Sequence, residues 1–203
     1  MKITRFVVAS SVLLVCAGVA SANLVTNGGF ESYTTSMATS SGTYSGGNYY
    51  VFPGANLGIN DWTISATSVD IVESGVGVDV NSGLAALDLV GTPGPGGVEQ
   101  TLATTAGGTY TVSFWAKGTG GLNNIVNLSL GADVRTVNIT GTWAQYTETF
   151  TGVVGSDLLK FYSDPANAGN GNTFIDDIEA VPEPATMTLL ALGALAARRR
   201  KKA

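Results

Sequence analysis

The chain has 203 residues and a formal net charge of −5, but its basic residues crowd at the two ends. Residues 23–180 keep only Lys117, Arg135 and Lys160 against 14 acids, a net charge of −11; such a body repels phosphate backbones and excludes nucleic acid as a partner. The chain has no His and a single Cys, Cys16, which excludes serine and cysteine triads and zinc sites of the usual type.

The first segment, residues 1–22, carries Lys2 and Arg5, then an apolar run from Phe6 to Ala20, then Ala20-Ser21-Ala22. A basic flank, an apolar stretch and a small-x-small site make a secretory signal peptide. Acylation at Cys16 is the alternative, but Val15 precedes it where a small residue is wanted. Removal of the signal leaves neither thiol nor disulfide, so the exported form relies on its core.

Residues 23–180 form the second segment. Charged residues are 12% of the chain, against roughly a quarter in average domains. Gly (27) and Thr (24) take their place, which favours strands and turns over helices. Tyr110, Val112, Phe114 and Ala116 alternate with Thr111, Ser113, Trp115 and Lys117, the period-two signature of a strand with one buried face. Similar runs are Leu24–Thr26, Asp61–Ser65, Val69–Glu73, Leu84–Leu89, Val98–Leu102, Ile125–Leu130, Val134–Ile139, Ala144–Phe150, Leu158–Tyr162 and Phe174–Ala180. Gly-rich turns separate nearly all of them, which predicts an all-β antiparallel sandwich or barrel. The interval Ser32 to Asn60 lacks sustained alternation and reads as a long loop.

In the third segment, residues 181–203, Val181-Pro182-Glu183-Pro184 breaks regular structure. An uncharged stretch, Ala185 to Ala197, follows, and then Arg198, Arg199, Arg200, Lys201 and Lys202. Basic residues are retained on the cytoplasmic side, so this reads as a stop-transfer tail with a short apolar helix. Thirteen residues make about 20 Å of helix against roughly 30 Å of hydrocarbon, a weak permanent anchor. Membrane contact is expected only through this tail, before processing.

Trp115 lies opposite the apolar side of its strand, either as a flat platform for a sugar ring, with Lys117, Arg135, Asn123 and Asn124 as polar partners, or as core if both faces are covered. Tyr44, Tyr49 and Tyr50 form a second aromatic cluster, able either to stack on sugar or to pin the long loop, while Trp62 and Trp143, at strand starts, read as seals of the sandwich ends. A glycosidase could work without His, using two carboxylates. No spacing among the acids singles out an acid and a base, and Asp176 and Asp177, adjacent in a strand, point to opposite faces. A non-catalytic protein is therefore expected.

Pro182-Glu183-Pro184, the apolar stretch and the cluster from Arg198 resemble the PEP-CTERM sorting signal of Gram-negative bacteria. That resemblance implies processing by a membrane-embedded exosortase and delivery to the envelope surface or an exopolysaccharide matrix; a simple tail anchor is the alternative. The start Asn23-Leu24-Val25-Thr26-Asn27-Gly28-Gly29-Phe30-Glu31, the core Val98–Leu102 leading to Tyr110–Phe114, and Phe174-Ile175-Asp176-Asp177-Ile178 resemble galactose-binding-like jelly rolls, among them carbohydrate-binding modules and choice-of-anchor domains. This second resemblance implies a structural calcium joining the first and last strands, with Glu31 and Asp176 as carboxylate ligands and carbonyls near Gly28 or the Asn81–Gly83 turn. Hard cations take oxygen ligands, and this chain offers no others; solvated turn residues are the alternative for both acids. Two functions follow: a surface or matrix protein associated with exopolysaccharide, and a carbohydrate-binding module with a defined glycan.

Overall fold

Apolar residues at every second position leave each sheet one face to bury, and two such sheets bury theirs against each other. The computed structural model describes residues 22–44, 47–75, 79–120, 124–164 and 171–183. Twelve strands are formed among them: β1 (Ser40–Tyr44), β2 (Gly47–Pro53), β3 (Thr63–Ala66), β4 (Ser68–Glu73), β5 (Ala85–Asp88), β6 (Gly96–Leu102), β7 (Thr109–Gly118), β8 (Ile125–Leu130), β9 (Asp133–Asn138), β10 (Ala144–Thr151), β11 (Asp157–Tyr162) and β12 (Thr173–Pro182). One sheet runs β1-β2-β4-β5-β12-β7-β10 and the other β3-β6-β11-β8-β9. Neighbours pair antiparallel throughout. The result is the expected jelly-roll sandwich.

The core lies between the sheets. Tyr110, Val112, Phe114 and Ala116 of β7 are buried, and Phe114 meets Phe161 of β11 edge to face, with ring centroids 5.0 Å apart. This contact joins the strand next to one edge of the larger sheet to the central strand of the smaller one. Trp62 is 2% exposed and packs against Phe30 with the two rings tilted, and its indole N–H donates to the Asn27 carbonyl.

Three boundaries differ from expectation. The interval read as a loop contains the hairpin β1–β2. In β2, Val51 and Phe52 are both buried although they face opposite ways, so no alternation marks this strand. Leu24–Thr26 forms no strand; it is tied to β12 by the Leu24 N–H bond to the Ala180 carbonyl. Finally, β12 runs past Ala180 to Pro182.

Among the described residues no helix is long and apolar enough to cross a membrane. Residues 1–21 of the expected signal peptide, the apolar stretch of the tail, Asn123, Pro184 and Arg198 to Arg200 lie outside the described residues.

Candidate functional site

The outer face of the seven-stranded sheet carries the residues of interest. Trp115 stands in register between Gln145 of β10 and Asp176 of β12, on the side opposite buried Phe114. It is half-buried and lines an open, mostly polar cleft of about 320 Å³ with Asn23, Gly29, Gln145, Asp177 and Glu179. Trp115 is therefore a partly exposed ring in a cleft. A flat indole beside amide and carboxylate groups suits a sugar ring, which presents apolar C–H faces and polar edges.

The proposed partners of Trp115 separate. Lys117 shares its face, next to Phe174. The Asn124 side chain packs where a Cβ on Gly118 would lie, 2.2 Å from its carbonyl oxygen. Arg135 does not belong to this site: it sits on β9, the edge of the other sheet, ion-paired with Asp133 and 3.7 Å from Glu148, its guanidinium 5.2 Å from the Phe150 centroid. On an edge strand a long side chain reaches the open side of the sandwich while its stem stays over the core. Tyr49 and Tyr50, adjacent in β2, also part. Tyr49 packs outside with Val72, Ala86 and Phe174, and Tyr50 packs inside against Tyr33 at 5.9 Å. Trp143 joins the outer cluster and donates its indole N–H to the Asp79 carbonyl.

Next to the cleft, residues 23–31 meet the middle of β12. Asn27 adopts a positive φ of 50° and ties Ser32 and Asn60 through its side chain. Asp176 is fully buried; its Oδ2 accepts the N–H groups of Asn81 and Ser82, both at 3.1 Å. A bulge follows, with Asp177 at a φ of 47°, and it turns the Asp177 carboxylate onto the Asn81 amide and Ser82 hydroxyl. Adjacent strand residues should face apart, but here the bulge directs both aspartates to one turn. Glu31 Oε1 accepts the N–H groups of Leu84 and Ala85 in the same turn. Burial, with the charge of Asp177 adding to it, raises the Asp176 pKa to about 7.

These residues fit a hard cation in kind. A Cβ on Gly29 would lie 3.4 Å from Asp177 Oδ1, 3.7 Å from Asp176 Oδ1 and 3.9 Å from Glu31 Cγ, so all three acidic side chains pass beside Gly29. Each carboxylate retains lone pairs that no N–H occupies. Among the described residues no three His, Cys, Asp or Glu side chains are grouped to hold a metal, so backbone carbonyls must complete any shell.

Two further features escaped sequence reasoning. Tyr162 lies on the outer face of the five-stranded sheet between Gly97 and Asn127, with the Lys160 ammonium 5.9 Å from its centroid and 3.4 Å from Glu99. Its position was legible in the alternation of Leu158, Lys160 and Tyr162 with buried Leu159 and Phe161. A second hollow, of about 540 Å³, is lined by Ser32, Leu57 and Asp61, but its Trp62 is buried and offers no open ring.

Fold and tail together define an exported β-sandwich carrying a C-terminal sorting signal. The PEP-CTERM protein-sorting motif matches residues 180–202. The chain belongs to the DUF642 family, described as a protein of unknown function, whose match covers residues 23–163. No curated protein matches it. Among solved structures it is similar to a cyclase from Fischerella sp. TAU, at 15% identity and a TM-score of 0.57 over 81% of this chain and 98% of that one. It is also similar to a family 61 carbohydrate-binding module in complex with β-1,4-galactotriose, at 18% identity and a TM-score of 0.47 over 80% and 100%. A third is the family 22 xylan-binding domain from Paenibacillus barcinonensis, at 13% and 0.43 over 82% and 97%. At such identities the likeness to the cyclase concerns the fold alone, and the two modules, at lower scores, carry no argument.

Proposed function

We propose that this chain is a non-catalytic surface protein, processed by exosortase at its tail and held in an exopolysaccharide layer by its sandwich. The sorting motif supports export to the cell envelope and processing there. The single observation that carries polysaccharide association is the cleft at Trp115, a partly exposed indole among amide and carboxylate groups. Displaying a rigid, acidic domain needs no active-site base, in keeping with a chain that has no His.

Calcium belongs to the proposal as a structural element. Glu31 and Asp176 would hold it, and a bound cation would neutralise the Asp176 carboxylate, whose charged form burial otherwise disfavours. The chain's own residues supply the rest: the turn from Asn81 to Ala85 clasps Glu31, Asp176 and Asp177 through its N–H and side-chain groups.

Deleting residues 184–203 tests the sorting half. This truncation spares β12, which a cut at residue 181 would not. The account expects the truncated protein in the medium or periplasm and the full chain at the surface. Unchanged surface delivery would refute it.

A further inference from the structure

The sorting motif begins inside the folded domain. Val181 pairs with Thr111 and Pro182 with Tyr110, as the last residues of β12 against β7. Glu183 continues the ladder: its N–H donates to the Thr109 carbonyl at 2.8 Å, and its Oε1 accepts the Thr111 hydroxyl at 3.3 Å. Two of the three residues of Pro182-Glu183-Pro184 are thus laid along one of the inner strands of the larger sheet. No spacer separates the sandwich from the motif.

A protease takes its substrate as an extended segment whose backbone groups bond to the enzyme, so a segment already paired in a sheet must open first. From this we infer that the end of β12 locks the sorting motif, so that processing awaits release of Val181–Glu183 from β7. This inference rests on the reading that the tail is an exosortase substrate. The lock is local. Thr109, Tyr110 and Thr111 are the first three residues of β7, and the rest of β12 stays held by β5 on one side and by the remainder of β7 on the other. Opening three residues at a strand end leaves the Phe114–Phe161 core contact in place. Proteolysis of a segment that opens and closes quickly tracks the open fraction, so a change in the pairing changes the processing rate in proportion.

A reversible crosslink tests this. Thr111 and Val181 are direct antiparallel partners, a geometry in which Cα atoms stand about 4.5–5.5 Å apart, within disulfide reach. The only native Cys, Cys16, is lost with the signal, so Thr111→Cys with Val181→Cys introduces the only thiols of the exported chain. The full chain, with Cys16→Ser so that the pair holds its only thiols, is presented to membranes carrying an exosortase, and loss of the tail is followed over time with the pair oxidised and reduced. The expected result is cleavage at least tenfold slower when oxidised, with the reduced form cut at the wild-type rate or faster. A second variant inserts a six-residue Gly-Ser spacer between Ala180 and Val181, lifting the motif off the sheet; cleavage at least tenfold faster than wild type is expected. Equal rates for oxidised and reduced chains, or an unaccelerated spacer variant, overturn the lock while leaving processing intact. A wild-type chain that stays uncut removes the processing reading itself, and the lock with it.

Discussion

Gly28 and Ile178 meet so closely that no side chain fits between them: a Cβ on Gly28 would stand 2.1 Å from the Ile178 carbonyl oxygen, while the Ile178 N–H donates to the Gly28 carbonyl at 3.0 Å. This contact fastens residues 23–31 to the bulge of β12 and fixes one wall of the Trp115 cleft. Gly28→Ala must push backbone against backbone, a strain of about 1–3 kcal/mol. For a domain of this size that lowers Tm by roughly 2–4 °C per kcal/mol. Gly155→Ala is the control, because nothing lies within 4 Å of its added Cβ. Thermal melts of the two variants should separate clearly, and equal melts would contradict a rigid contact between Gly28 and Ile178.

Stability should fall as pH rises. Asp88 of β5 faces Asp70 of β4, and both are buried on the outer face of the sheet. Burial raises the pKa of Asp88 well above the carboxylate range, with Asp70 adding to it, and raises that of Asp70 to about 6. Asp88 accepts the N–H groups of Val90 and Thr173; Asp70 accepts the N–H and hydroxyl of Thr92. Because the folded-state pKa values lie above the unfolded ones, this stabilisation is complete below about pH 4 and lost as pH rises through about 6. The urea midpoint should therefore drop between pH 4.5 and 7.5. Asp88→Asn should flatten that slope and raise the midpoint at pH 7.5. A midpoint that climbs with pH over this range would contradict the account.

If calcium joins Glu31 and Asp176, excess calcium raises stability over chelator by mass action, by about 2.7 kcal/mol at one hundred times the dissociation constant, and Tm rises with it. Glu31→Gln and Asp176→Asn should each shrink that difference. Coincident melting curves in calcium and chelator would remove the ion from the account.

Much of this was legible in the sequence because one-sided burial leaves a period-two trace. The trace gave β7 its inner and outer faces and so put Trp115 on the outer one, opposite Phe114. It failed at β2, where Val51 and Phe52 are covered on both sides and alternation disappears. Arg135 misled because an edge strand lets a basic side chain turn inward over Phe150 and still meet carboxylates. The shared turn of Asp176 and Asp177 depends on a bulge, and a one-residue irregularity leaves no periodic signal. The run of β12 into Pro182 was hidden for a different reason. Pro usually stops a strand, but as a terminal strand residue it keeps its carbonyl and lacks only a donor.

Affinity of the chain without residues 1–22 and 184–203 for a panel of polysaccharides, measured by calorimetry beside Trp115→Ala and Tyr162→Ala, bears most directly on the proposed function. The account predicts binding to at least one glycan, weakened tenfold or more by Trp115→Ala, which corresponds to about 1.4 kcal/mol, and little changed by Tyr162→Ala. Binding to no glycan, or binding that survives Trp115→Ala and falls with Tyr162→Ala, would contradict it.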